Sequence, residues 1–287
     1  MKPIQTVLVL GGDRRQQSLA DALAAAGLAV RTFALGEASD RAADDLAEAV
    51  AQAQAVVLPL PCTKDETYLF GRCSPQIPID RLAALLRPEQ LVLGGMLTAS
   101  VAARLQRCGC RVIDYYKREE ITVRNVVPTV QGILKQLLGE IDYTVSGSSG
   151  CVCGYGRVGR ATARTLKALG AHITVCARSG AARALAETEG CDACDFLRLP
   201  EKAAAFDYII NTVPAPVIGA DVLRVLKPSC LILDVASAPY GTDFAAAERF
   251  GVRALQCACL PGKAAPKTAG EILAQGILHL WEEEGYV

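Results

Sequence analysis

Short apolar runs alternate with amphipathic stretches along the whole chain. Thr6-Val7-Leu8-Val9-Leu10 is followed by helical spacing over 19–26, a Gly27 stop and a second run, 29–33. The same rhythm predicts strands at 55–58, 91–93 and 111–114, with helices over 40–52, 79–86 and 101–106 between them. Runs this short and this uniformly apolar fit strands covered on both faces, and their alternation with helices predicts parallel sheets. The second half repeats the scheme, with strands at 149–153, 173–176 and 252–255 and, over 207–214 and 230–237, strands ending in polar turns. Helices are predicted after Gly159 and over 244–250 and 271–283.

The two halves share a design. Gly11 precedes Gly27 by the same sixteen residues that separate Gly154 from Gly170. The fold expected is α/β, with two Rossmann-like doubly wound parallel-sheet domains. A long helix over 129–141 would carry the chain into the second domain, and the final helix would return it, so two crossing helices would form a hinge. The predicted domains are 1–127 plus 265–287, for substrate or partner, and 128–264, for cofactor.

Composition narrows the function classes. Apolar residues make 51% of the 287 positions and the formal net charge is zero, so both domains have core to bury and no standing attraction to nucleic acid or anionic membrane. The first residues run straight into a strand and no apolar stretch reaches the ~20 residues of a membrane span, which predicts a cytoplasmic protein. Six of the 12 cysteines fall as alternating pairs inside or beside predicted strands (Cys108/Cys110, Cys151/Cys153, Cys257/Cys259), and Cys191-x-x-Cys194 has no second pair. They are read as small buried hydrophobes, with no metal site expected.

One motif carries chemistry outright. A strand ends in Gly154-Tyr155-Gly156-Arg157-Val158-Gly159 and a helical pattern begins at once. Such a turn lets the backbone approach a pyrophosphate, which the helix N-terminus then binds through free N–H groups. The next strand ends in Ala177-Arg178-Ser179, where an NAD enzyme usually places a carboxylate for the ribose hydroxyls. Arg178 and Ser179 suit a 2′-phosphate, so NADP is favoured over NAD; the alternative for Arg178 is an ordinary solvated strand end. Asn211-Thr212-Val213-Pro214 and Ala236-Ser237 follow later strands and are expected beside the nicotinamide.

In the first half, ligands should lie outside the carboxyl ends of the strands. That places Asp13, Thr63, Gly94, Gly95 and Thr98 around one crevice. Only two histidines occur, His172 and His279, and neither follows a strand toward that crevice. A carbonyl-reducing hydroxyacid dehydrogenase usually carries a histidine acid–base, so that reaction is disfavoured.

Several stretches together are similar to the A subunits of dipicolinate synthases from spore-forming bacteria. They are Gly11-Gly12-Asp13-Arg14-Arg15-Gln16, Pro128-Thr129-Val130-Gln131-Gly132, Asp142-Tyr143-Thr144, the glycine turn, Ala177-Arg178-Ser179, Asp234-Val235-Ala236-Ser237, Gly241-Thr242-Asp243-Phe244 and Pro266-Lys267-Thr268-Ala269-Gly270. The chain departs from the pattern at Tyr240, at Lys263 and in its richness in cysteine. The resemblance implies a fold like the hydroxyacid and alanine dehydrogenases, with NADP as cofactor. It also implies oxidation of dihydrodipicolinate to dipicolinate during sporulation, together with a separate flavoprotein-like B subunit; self-association is expected as well.

Such an aromatisation needs a hydride acceptor and cations for two carboxylates, with positioning as the main contribution. Arg14, Arg15 and Lys267 are the candidate clamps. Asp13 is either a weak base or an orienter of Arg14. Gly94, Gly95, Thr98, Thr129, Gln131 and Thr268 complete the expected substrate set, although Thr129 could equally cap its helix, and Lys267 could face solvent. Two other readings stay open: a dehydrogenase for another small carboxylate, and a non-catalytic NADP-binding regulatory subunit.

Overall fold

The computed structural model describes residues 3–36, 40–71 and 75–286. It divides into two compact units: one runs to Asn125 and resumes at Ala265, the other spans Val126–Ala264. The N-terminal unit holds strands β1 (Thr6–Leu10), β2 (Ala29–Phe33), β3 (Ala55–Val57), β4 (Leu91–Gly94) and β5 (Arg111–Asp114). All pair in parallel in the order β2-β1-β3-β4-β5, the flavodoxin-like arrangement. Its helices are α1 (Arg14–Ala25), α2 (Leu46–Gln52), α3 (Ile79–Leu85), α4 (Ala99–Leu105), α5 (Glu119–Arg124) and the last helix of the chain, α13 (Pro266–Glu283).

Strand alternation builds a core on each face of this sheet. Val7 and Val9 pack with Leu19 and Leu23 of α1 and with Leu273, Ile277 and Trp281 of α13. Leu8 and Leu10 face the other way, onto Val50 of α2, Leu82 of α3 and Val101 of α4. A buried leucine or valine of this kind contributes about 1.5–3 kcal/mol. Gly270 sets the approach of α13 to α1: a Cβ there would lie 2.6 Å from Ser18 Cβ and 2.8 Å from the Leu19 nitrogen.

The second unit holds α6 (Val126–Glu140), β6 (Ser149–Cys153), α7 (Arg157–Ala168), β7 (His172–Cys176), α8 (Gly180–Thr188), β8 (Asp192–Cys194), α9 (Leu199–Ala203), β9 (Tyr208–Asn211), α10 (Ala220–Leu223), β10 (Leu231–Asp234), α11 (Phe244–Arg249), β11 (Arg253–Gln256) and α12 (Leu260–Ala264). Its strands are all parallel, in the order β11-β10-β9-β6-β7-β8 of dinucleotide-binding sheets. Both sheets are thus the doubly wound α/β type expected. Val152 points to the α6–α7 face. Cys151, Cys153, Cys176 and Cys194 point to the other face, among Ile209, Ile232 and the α9–α11 residues. Of the described cysteines only Cys108 and Cys259 are partly exposed, and none is in a disulfide.

Several boundaries differ from the sequence reading, for local reasons. The first helix begins at Arg14, because the Asp13 side chain caps it by accepting from the Arg15 N–H. α2 begins only at Leu46, where Asp45 caps the Glu48 N–H, so residues 40–44 stay outside the helix. α6 begins at Val126 with Pro128 in its first turn, a place where a missing N–H costs nothing. Thr129 is therefore inside the helix and is not its cap. α13 begins at Pro266, which brings Lys267 and Thr268 into its first turn.

Candidate functional site

At the carboxyl edge of the C-terminal sheet, β6 passes into the glycine turn. Gly154 has φ +92°, a conformation that favours glycine, and Gly156 holds the Ncap position of α7. A Cβ on Gly156 would meet nothing within 4 Å, whereas one on Gly159 would overlap the Gly154 carbonyl oxygen. Glycine is thus needed for packing at 159. At 156 it leaves open space in front of a 12-residue helix with no acidic residue in its first turn. That is a cradle fitted to a pyrophosphate.

Neighbouring strands brace the cradle. The Thr212 hydroxyl donates to the Cys153 carbonyl at 2.8 Å, across the point where strand order reverses between β6 and β9. Asn211, expected beside the nicotinamide, is fully buried and turned inward: its amide nitrogen donates to the Val213 carbonyl and its oxygen accepts from the Val213 N–H. Val213 and Pro214 are left partly open at the edge. Tyr155 leans away, its hydroxyl donating to Glu189 at 2.6 Å, while Arg160 pairs with the same carboxylate. The glycine turn is thereby tied to α7 and to the end of α8. Arg157 is exposed, and Val158 packs in part against the α6–α7 core.

At the end of β7, Arg178 is exposed, and the Ser179 side chain caps α8 by accepting from Ala182 N–H. No acidic residue stands in the first turn of α8. On α6, Thr129 is partly buried and Gln131 exposed, and Gly132 lets the helix close on Leu260 of α12.

The loop after β10 is organised by Asp234, the last residue of that strand. It is fully buried; Oδ1 accepts from Ala236 N–H at 3.1 Å, and Oδ2 from Gly241 and Thr242 N–H at 3.0 and 2.9 Å. This carboxylate shapes the segment carrying Ala236 and Ser237, and it helps hold Tyr240 at φ +69°. Ala236 itself is buried, and Ser237 is exposed. Removing the carboxylate strands three backbone donors at about 1–3 kcal/mol each. Asp234→Ala is expected to destabilise the C-terminal unit by at least about 3 kcal/mol in denaturant unfolding. A loss below about 1 kcal/mol would contradict this role.

The N-terminal unit places the other predicted residues at the carboxyl edge of its own sheet, with corrections. Arg15, expected as a carboxylate clamp, is buried: Nε and Nη2 grip Asp13 at 2.8 Å, and Nη2 also donates to the Leu60 carbonyl at 2.6 Å. This bond spans the reversal of strand order between β1 and β3. Asp13 therefore pairs with Arg15 and caps α1. Arg14 is exposed at the head of α1. Gly94 and Gly95 are buried and small for packing: a Cβ at 94 would crowd Leu97, and one at 95 would crowd Leu60 and the Tyr115 hydroxyl. Tyr115 is wholly buried, donates to the Leu58 carbonyl at 3.1 Å, and has its phenol pushed well above the usual range by desolvation. Burial, and secondarily Asp114, pushes the Cys62 thiol up to about 12, so it stays protonated and inert. Thr98 is exposed and caps α4 through Val101 N–H; Thr63 is absorbed in a turn with Asp65 and Glu66.

Lys267 and Thr268 are exposed in the first turn of α13, one turn ahead of the Gly270 contact with α1. Gly270 lies against Arg15, Ser18 and Leu19, so the N-terminal turns of α1 and α13 lie side by side. His172 opens β7 and His279 lies on α13; neither is buried. Among the described residues, no three or more His, Cys, Asp or Glu side chains could hold a metal ion, and no helix is long and apolar enough to cross a membrane.

The C-terminal sheet order and the open glycine cradle define a nicotinamide-dinucleotide-binding domain of the dehydrogenase type. Residues 135–243 match the model of the NAD-binding domain of D-isomer specific 2-hydroxyacid dehydrogenases, and residues 6–116 match that of the N-terminal domain of dipicolinate synthase A subunits. The A subunit of dipicolinate synthase from Bacillus subtilis (strain 168) is 35% identical over 237 residues, which cover 81% of this chain and 79% of that one. The chain belongs to the family of dipicolinate synthase A subunits. The crystal structure of the Bacillus halodurans member superposes with a TM-score of 0.86 at 27% identity, covering 98% of each chain. That of the Bacillus subtilis member gives 0.84 at 31%, covering 99% of this chain and 97% of the other.

Proposed function

We propose that the chain is an NADP-dependent oxidoreductase that aromatises a dihydropyridine dicarboxylate to dipicolinate, working with a separate B subunit in the cytoplasm of a sporulating cell. Family membership supports the product, and the dehydrogenase-type domain supports the class of reaction. The observation that carries the cofactor choice is the end of β7, where Arg178 and Ser179 stand in place of a carboxylate. A bound nicotinamide would supply the acceptor for the hydride lost from the ring, and the proton lost with it would pass to water. The chain's own part is to seat the pyrophosphate before α7, to grip the substrate carboxylates with Arg14 and Lys267, and to hold Val213, Pro214 and Ser237 at the edge. Aromatisation is downhill, so cation placement and orientation can supply most of the rate.

A guanidinium–phosphate contact is worth about 1.5–3 kcal/mol. Arg178→Ala is therefore expected to weaken NADP about tenfold or more while NAD changes less than about threefold. Equal losses for both cofactors, measured by calorimetric titration, would remove the 2′-phosphate assignment. The activity itself is tested by mass spectrometry of the product formed from aspartate-pathway intermediates with NADP, with and without the B subunit. Dipicolinate formed only when this chain is present is the expected result. Turnover by B alone would contradict it.

A further inference from the structure

We propose that Arg183, on α8, is a second positive group of the adenosine-phosphate subsite and the residue that positions Arg178; this rests on the 2′-phosphate reading above. Arg183 is half-buried, and its guanidinium folds back toward the end of β7. There Nη1 donates to the carbonyl oxygens of Ala177 at 2.8 Å and Arg178 at 2.9 Å. These two carbonyls belong to the chain that turns from β7 into α8, so their orientation sets where the Arg178 side chain starts. Nη2 lies 3.8 Å from the position a Cβ would take on Gly180, beside the Ser179 cap.

What separates this from a plain helix-to-strand strap is the charge balance. Two carbonyls need two donors, which a neutral amide supplies as well. A guanidinium brings a full charge besides, and among the described residues no carboxylate forms an ion pair with Arg183 or with Arg178. Asp195, which follows the neighbouring strand β8, accepts from the Arg198 N–H at 3.0 Å. Two cations five residues apart, without a counter-charge from the chain, suit a dianion. A ribose 2′-phosphate supplies that charge and the acceptor oxygens that an arginine fork matches. The Nε and Nη2 donors of Arg183 are the groups to meet it, because Nη1 is committed to the backbone.

Arg183→Gln keeps amide hydrogens for the two carbonyls and removes the charge. Arg183→Lys keeps the charge. Titrations of the whole chain with NADP and NAD, repeated with adenosine 2′,5′-bisphosphate and 5′-AMP, are expected to show three things. Wild type prefers the 2′-phosphorylated member of each pair. Arg183→Gln loses about tenfold for that member and less than about twofold for the other, with an unchanged melting temperature. Arg183→Lys retains most of the preference. If Arg183→Gln binds all four probes as wild type does, or loses both members of each pair equally, Arg183 is a strap and the proposal is overturned, while a selective loss in Arg178→Ala leaves the NADP reading standing. If wild type shows no preference for the 2′-phosphate, that reading fails and takes the proposal with it.

Discussion

Gly156→Ala is expected to leave the melting temperature unchanged and to weaken NADP at least about tenfold, whereas Gly159→Ala should lose both. The two glycines stand three residues apart yet serve different ends. A Cβ at 156 meets nothing in the chain, and its φ of −77° is open to alanine. The one thing left for that methyl to meet is a ligand seated before α7. At 159 the residue is buried, and the methyl would overlap the Gly154 carbonyl oxygen and crowd the Thr212 hydroxyl at 3.2 Å. Backbone must then move at the helix–strand contact, at the upper end of the ~1–3 kcal/mol of overpacking. Since the moved backbone is the cradle itself, the loss for NADP should reach about a hundredfold. Thermal unfolding and cofactor titration of both variants check this. Wild-type affinity in Gly156→Ala would mean that no phosphate approaches the turn.

Lys267→Ala is expected to lower kcat/KM for the dicarboxylate at least about a hundredfold with the NADP Kd unchanged. The residue stands in the first turn of α13, where the helix dipole disfavours a cation by about 0.3–1 kcal/mol. No described residue offers it a hydrogen bond or an ion pair, so fold stability does not explain a lysine there. Next to it across the Gly270 contact is the head of α1, with Arg14 exposed. A carboxylate received by this pair would form charge-assisted bonds worth about 1.5–3 kcal/mol each. The alanine variant should melt no lower than wild type, and Lys267→Arg should recover part of the rate. Near-normal turnover in the alanine variant, under steady-state assay with saturating NADP, would place Lys267 outside the site.

The parts of this molecule that were legible from sequence are those whose cause is local. The glycine turn is one: a positive φ at 154, an open helix end at 156 and a close helix packing at 159 are each written in one residue. Buried parallel strands are another, because apolar runs of four or five residues have few alternatives. Pairing was not legible. Nothing in Asp13-Arg14-Arg15 tells which arginine turns inward; the choice is made by the Leu60 carbonyl, 45 positions away, which Arg15 reaches. Gly94 and Gly95 follow a strand as ligand-binding glycines do, yet the bulk of Leu97, Leu60 and Tyr115 explains them. Strand β8 carries little apolar signal, because it is three residues long and opens on Asp192. Asp234 lies inside the stretch 230–237, and two of its three backbone partners, Gly241 and Thr242, come only when the chain returns.

The most direct test is a crystal structure of the chain grown with NADP. The pyrophosphate is expected against the first turn of α7 beyond Cys153, with the 2′-phosphate at Arg178. A dinucleotide bound elsewhere, with the turn at Gly154–Gly159 empty, would contradict the account.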